Sequence, residues 1–311
     1  IEPLQNGKFK FSVHQIITND NVLGLEEIAT SFSSISFDKI TYDVFDFDAD
    51  GDLDIFFIGE GTSTVTEVLL NQGNYIFKNL PLELPKYTEA TIAHYDFTQD
   101  GYQDVYLAGI VEKDTIGKLF KNNGGESLES FDEQTLNIPA VVNGQVIIQR
   151  FNNNNLPDIY IRGEKGNKQY SRVFELTLTT NINKKNSISV IKDLPYFENG
   201  IASIHDFNND GVYDLFTSGY FPQENISKTQ ISYQEKNNNG NGLIFSSIED
   251  LTALDSSNVS VVDINQDGRL EIITTGRTFD KILEKKVSRT MLYSNNFTEN
   301  KRPNPINDIK I

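Results

Sequence analysis

Short apolar runs of about five residues, separated by turns rich in Asn, Asp and Gly, recur along the chain. No stretch of a dozen residues keeps the 3.6-residue period of an amphipathic helix, so the pattern predicts strands throughout. Five of the runs end on a Gly: Ile55 to Gly59, Val105 to Gly109, Ile159 to Gly163, Leu215 to Gly219 and Ile272 to Gly276. Another apolar run precedes each, as in Thr91–His94, Gln145–Ile148 and Val259–Val262. A third follows in most units (Glu67–Asn71, Lys118–Asn122, Thr290–Tyr293), then an Asn/Gly-rich turn and an aromatic such as Phe77, Phe131 or Phe245. Each unit thus holds about four strands, the size of an antiparallel blade.

The turn between the first two strands of each unit is a nine-residue motif. It reads Asp46-Phe-Asp48-Ala-Asp50-Gly51-Asp52-Leu-Asp54 in the first unit and Asp96-Phe-Thr98-Gln-Asp100-Gly101-Tyr102-Gln-Asp104 in the second. The third is worn: Arg150-Phe-Asn152-Asn-Asn154-Asn155-Leu-Pro-Asp158. Asp206-Phe-Asn208-Asn-Asp210-Gly211-Val212-Tyr-Asp214 and Asp263-Ile-Asn265-Gln-Asp267-Gly268-Arg269-Leu-Glu271 complete the series. The starts lie 50, 54, 56 and 57 residues apart. Repeats of this length cannot bury both faces alone and are satisfied by stacking side by side around an axis. The expected fold is all-β, a β-propeller of four-stranded antiparallel blades. Five blades fit the length best, six or seven-like variants and an open stack of sheets being the alternatives.

The whole of 1–311 is read as one propeller domain, with units at about 40–90, 91–144, 145–200, 201–257 and 258–297. Residues 1–12 look like a final strand that completes the last blade, and residues 13–40 leave room for an extra hairpin or a worn partial blade.

Acids at positions 1, 3, 5 and 9 of a tight turn, with Gly at 6, converge on one point, and the carbonyl of position 7 adds another oxygen. Such hard oxygen cages suit Ca²⁺, whereas Mg²⁺ keeps its waters. Position 12 is apolar or a hydroxyl (Phe57, Leu107, Ile161, Thr217, Thr274), never the bidentate Glu of an EF-hand. One such turn would say little, because Asp, Asn and Gly favour turns anyway. Four turns keeping acids at positions 1, 5 and 9 predict about four calcium ions.

The expected ligands are Asp46, Asp48, Asp50, Asp52 and Asp54; Asp96, Thr98, Asp100, Tyr102 and Asp104; Asp206, Asn208, Asp210, Val212 and Asp214; and Asp263, Asn265, Asp267, Arg269 and Glu271, with position 7 ligating through its backbone. Arg150, Asn154 and Asn155 spoil the third loop, which is expected to stay empty.

The loop with its following strand and Gly resembles the FG-GAP/VCBS repeat, the blade unit of integrin-α-like propellers and of many secreted bacterial proteins. The resemblance runs over about residues 40–297. It implies calcium at positions 1, 3, 5, 7 and 9 of the four intact loops and a secreted or surface-displayed protein. The Asn-, Lys-, Ile- and Phe-rich composition is similar to that of surface proteins of gliding or polymer-degrading Bacteroidota.

Composition narrows the function further. The 311 residues carry 44 Asp plus Glu against 27 Lys plus Arg, a net charge of −17, which argues against nucleic acid as a partner. Fifteen of those acids lie in the five loops, so much of the charge is held for metal rather than for a partner. With no Cys there is no disulfide framework, thiolate site or cysteine nucleophile, and no apolar run reaches the length of a membrane span. The chain begins at Ile1 and is read as a mature or excised piece.

His14, His94 and His205 lack metal-ligand spacing and read as packed or solvent-facing strand residues. Asp43, Glu60, Glu89 and Glu164 are the acids outside the loops that could face a sugar, Asp43 standing where other units have Ala93, Ser203 and Ser260. Asn225, Asn258 and Asn296 head glycosylation patterns that matter only in a eukaryotic secretory pathway. The expectation is an extracellular or cell-surface, non-catalytic binding or adhesion module for a protein or glycan on a propeller face. A carbohydrate-active enzyme on the same scaffold, or a structural subunit of a larger surface complex, is the alternative.

Overall fold

The structure is a computed structural model that describes residues 2–3, 8–10, 13–19, 22–28, 36–62, 64–74, 76–130, 138–151, 157–177, 187–235, 243–280 and 282–295. Phe131, the Asn152, Asn154 and Asn155 positions of the third loop, and the Asn296 glycosylation pattern lie outside the described residues.

All regular structure among the described residues is strand. The chain opens with β1 (Glu2–Pro3), β2 (Phe9–Lys10), β3 (Val13–Asn19), β4 (Val22–Ile28) and β5 (Ser36–Phe37). The first blade is β6 (Lys39–Phe45), β7 (Asp54–Glu60), β8 (Val65–Asn71) and β9 (Phe77–Pro81); the second is β10 (Thr88–Tyr95), β11 (Asp104–Val111), β12 (Asp114–Asn122) and β13 (Leu128–Ser130). The third is β14 (Val142–Gln149), β15 (Asp158–Lys165), β16 (Lys168–Thr177) and β17 (Ser187–Asp193), and the fourth is β18 (Glu198–His205), β19 (Asp214–Phe221), β20 (Ile226–Gln234) and β21 (Phe245–Asp250). The fifth has, among the described residues, three strands, β22 (Asp255–Val262), β23 (Glu271–Asp280) and β24 (Lys285–Tyr293). Strands pair in chain order within each blade, as expected of meanders joined by short turns. The fold is all-β, a five-blade β-propeller.

The second strand of each blade explains the continuous apolar runs. β11 and β19 are buried on both faces, Val105 to Ala108 completely, because each lies between two strands of its own sheet and is covered above and below. β22 instead alternates between covered and open positions. The Gly near the end of the second strand has a contact reason. A Cβ on Gly109 would lie 2.7 Å from the carbonyl oxygen of Thr88, and one on Gly219 the same distance from that of Glu198. Those carbonyls are thrust inward by a bulge in the first strand, where Glu89 and Asn199 take positive φ.

The chain divides into two compact units, residues 1–144 with 164–166, and residues 145–163 with 167–311. In the first, Phe45, Phe47, Phe56, Val68, Tyr87, Leu107 and Phe120 share one core, and Phe37, Phe57 and Leu69 form a second. In the other unit, Phe151, Tyr160, Phe197, Leu215 and Phe221 form one core, and Phe207, Phe216, Ile231, Ile272 and Met291 another.

The extra hairpin expected between residues 13 and 40 is β3–β4, paired from Val13↔Ile28 to Asn19↔Val22. Residues 1–12, expected to close the last blade, contribute β1 and β2. β2 pairs with β1 and β5, placing Phe9 opposite Phe37, while β24 pairs with β23 among the described residues. The β3–β4 hairpin returns the chain to β2, so β5 is the near partner in sequence and the shorter loop is closed at less entropic cost.

Candidate metal centre

Four of the five loops share one backbone design. The fourth residue is left-handed in each (Ala49, Gln99, Asn209, Gln266), and so is the sixth, the Gly at φ 94°, 94°, 86° and 83°. Only Gly adopts the sixth conformation without strain, which is why the motif keeps it. The acid at position 1 holds the turn: Asp46, Asp96, Asp206 and Asp263 each accept the N–H of position 5 at 3.1 Å. Each also accepts the Gly N–H through its other oxygen, at 2.8–3.0 Å. Position 7 donates its N–H to the acid at position 5 in all four.

Position 9 does something the sequence did not disclose. Asp54, Asp104, Asp158, Asp214 and Glu271 are all buried, and each accepts the N–H of position 2, at 2.7–2.9 Å. In the first, second and fourth loops the second oxygen accepts the N–H at the end of the third strand, from Asn71, Asn122 or Gln234. The acid therefore ties the loop to two strands. Asp158 keeps the bond to Phe151 in the worn loop, so this latch does not depend on an intact cage.

The residues at or just past the ends of the third strands reach farther still. Asn122 donates its side-chain amide to the Phe47 carbonyl of the first loop at 2.7 Å. Gln234 does the same to Phe151 of the third loop, and Asn295 to Phe207 of the fourth. Each amide clasps a loop of the preceding blade. The recurring Asn at this place was visible in the sequence, but its partner is 75 residues away.

Burial and neighbouring charge set the electrostatics. Burial pushes the Asp54 and Asp104 carboxyls up despite their N–H donors, and pushes Asp214 up to about 7. Asp48 is raised by burial and then by the negative charges of Asp50 and Asp46.

The first loop fits a cation best. Carboxylate oxygens of Asp46, Asp48 and Asp50 lie within 4.8 Å of one another. Oδ1 of Asp48 is buried with no hydrogen-bond partner, as is the Thr98 hydroxyl at the same position of the second loop. The cover over Asp48 comes from the next blade: a Cβ on Gly125 would fall 2.4 Å from the Asp48 Cβ. A buried, unsatisfied oxygen beside two like charges is costly unless a cation joins it.

The other loops carry partial substitutes for a metal. Lys121 lies 3.5 Å from Asp100, and burial's upward push on that acid is outweighed by the Tyr102 N–H and the Lys121 charge. In the fifth loop Arg269 pairs with Asp267 and holds it below the usual carboxylate range. Asn208 and Asn265 point their amide N–H groups at the position 5 acids, 2.9 and 3.0 Å away.

The acids outside the loops have separate fates. Asp43 pairs with His94 at 3.7 Å, and His94 stacks on Phe45 with centroids 4.2 Å apart. Glu60 accepts the N–H of Glu89 at 2.8 Å. Glu89 lines a cleft of about 370 Å³ with Lys39, Thr41, Tyr42, Thr91 and Asn143, Tyr42 being 54% exposed. Glu164 lies on β15 and does not line that cleft. His205 hydrogen-bonds Ser203 at 2.8 Å, and burial lowers its pKa; His14 is exposed on β3.

Repeated antiparallel blades with an acid-anchored turn between the first and second strands define the class as a loop-latched β-propeller. Residues 206–274, spanning the fourth and fifth loops, match the FG-GAP-like repeat. No curated protein matches the sequence. Among solved structures, the β-fructofuranosidase of Schwanniomyces occidentalis complexed with fructosyl-erythritol is 9% identical with a TM-score of 0.45, covering 86% of this chain and 60% of that one. The mannose phosphorylase MPT-4 of Leishmania mexicana, in complex with phosphate ion, is 13% identical with a TM-score of 0.34, covering 80% and 68%. The chain thus spans less than two thirds of the fructofuranosidase. No helix among the described residues is long and apolar enough to cross a membrane.

Proposed function

We propose that the chain is a calcium-stabilised, non-catalytic binding or adhesion module, secreted or displayed at a cell surface, that presents a protein- or glycan-binding face. The observation that carries the metal reading is the convergence of Asp46, Asp48 and Asp50 around the orphaned Asp48 oxygen. Asp46, Asp48 and Asp50 would hold the ion in the first loop, their counterparts Asp96, Thr98 and Asp100 in the second, with weaker sites in the fourth and fifth. Bound calcium would neutralise the cluster and lock the turn, adding stability because the unfolded chain has no cage.

The cleft beside Tyr42 supports the binding half of the reading. It offers an exposed aromatic face and polar groups of both kinds, the usual furniture of a sugar or peptide contact. Glycoside hydrolysis needs two carboxylates flanking the bond, whereas the lining contributes one, Glu89. The test is a glycan and peptide binding screen run beside an assay for sugar release. Binding that Tyr42→Ala weakens at least about tenfold, without turnover, is the expected result. Turnover lost on Glu89→Gln would replace this reading with the enzymatic one.

A further inference from the structure

The β23–β24 hairpin of the last blade differs from the hairpins between the second and third strands of the other blades. Elsewhere the tips are polar: Gly61-Thr62, Glu112-Lys113, Gly166-Asn167 and Gln223-Glu224-Asn225. Here the tip carries Phe279, Ile282 and Leu283, exposed by 59%, 93% and 56%. The hairpin also outruns its sheet. Pairing of β22 with β23 stops at Asp255↔Arg277, yet β23 and β24 continue through Thr278↔Val287, Phe279↔Lys286 and Asp280↔Lys285. Those three rungs form a two-stranded arm of about 10 Å.

The tip is held in place. Asp280 accepts the backbone N–H groups of Ile282 and Leu283 at 2.9 and 3.0 Å, and its other oxygen pairs with Arg289 at 2.9 Å. The apolar side chains are therefore presented on a fixed turn. Charge sets this arm apart as well. Residues 277–289 contain Arg277, Lys281, Lys285, Lys286 and Arg289 against Asp280 and Glu284, in a chain of net charge −17. Lys286 is tied to Asp255 and Arg289 to Asp280, while Arg277 and Lys285 are exposed on the strands behind the tip.

We propose that this hairpin docks the protein onto an anionic phospholipid bilayer. An ordered, convex apolar tip with cations a few residues behind it matches the depth order of a membrane interface. Ile282, Leu283 and Phe279 enter the boundary between headgroups and acyl chains. Arg277 and Lys285 stay at the level of the phosphates, their stems covering apolar surface. Exposed apolar groups mark either a membrane or a protein contact. The basic flank on an acidic protein selects a negative surface, and a protruding tip suits a deformable phase better than a preformed pocket. The acidity elsewhere repels the same surface, so the protein meets it by this arm.

The test is co-sedimentation of the full chain, in calcium, with vesicles of equal parts phosphatidylglycerol and phosphatidylcholine, against phosphatidylcholine alone. The expected result is binding to the anionic vesicles that falls with added salt. It drops at least about tenfold in the double variant Ile282→Ser, Leu283→Ser and about fivefold in Lys285→Ala. Unchanged melting curves would show that these exposed substitutions leave the fold intact. No binding to anionic vesicles overturns the proposal. So does binding that the double variant retains, which would mean calcium bridging between acidic loops and lipid phosphates. Self-association abolished by the double variant, without vesicle binding, would make the arm a protein interface and equally overturn it.

Discussion

The first and fifth loops have nearly the same backbone and opposite electrostatics. Both hold position 1 against the N–H groups of positions 5 and 6, and both bury a position 9 acid against position 2. In the first loop position 7 is Asp52, and three carboxylates crowd together; in the fifth it is Arg269, whose guanidinium already occupies the central acid. The loop's shape is thus written in positions 1, 6 and 9, while its need for a metal is written in the charges at positions 1, 3, 5 and 7. The third loop extends the contrast, since Asp158 keeps its latch where Arg150 has replaced the first acid.

The largest effect should come from the latch. Asp104→Ala strands the N–H groups of Phe97, Thr98 and Asn122, and about 4 kcal/mol of unfolding free energy should be lost in a denaturant titration. The loss should be similar in calcium and in chelator, and Asp158→Ala should show a smaller loss of the same kind. A latch effect that vanished in chelator would merge the two roles that the comparison separates.

Next comes Asp50→Asn, whose effect should change sign. In chelator it relieves repulsion against Asp46 and Asp48 and should stabilise by about 0.5–1 kcal/mol. In saturating calcium it should destabilise, by up to about 2 kcal/mol as the ion is lost. Loss of stability in both conditions would mean that the cluster is not strained without metal.

Asp214 supplies a pH test. Its folded pKa of about 7 lies above its ordinary value of 3.8, so the folded chain binds that proton more tightly than the unfolded chain. In chelator, its contribution to stability is present below pH 4 and is lost as pH rises through about 7. Thermal melts at pH 5 and pH 7.5 should fall with pH more steeply in the wild type than in Asp214→Asn. Calcium should flatten the difference. The smallest change expected is Arg269→Ala, which frees Asp267 and should strengthen calcium binding in the fifth loop by up to about fivefold, read by isothermal titration.

The strand pattern, the five loops and the extra hairpin were legible because they rest on local rules: alternation, turn residues and Gly at fixed offsets. What escaped sequence reading depends on residues far apart in the chain. Nothing near Asp48 announces Gly125, and nothing near Phe47 announces Asn122. The position 9 acids were read as ligands from spacing alone, yet their oxygens also serve strand N–H groups contributed up to 20 residues later. The pairing of β2 with β5 escaped it for the same reason: Phe9 stands opposite Phe37, a register that pattern alone does not fix.

The measurement that bears most directly on the account is a calcium titration of the intact chain by calorimetry, repeated on Asp48→Ala. The wild type should bind calcium, with its tightest site lost in the variant, and its melting temperature should fall in excess chelator. No binding heat and an unchanged transition in chelator would contradict the account, leaving the acidic loops as turns held by hydrogen bonds alone.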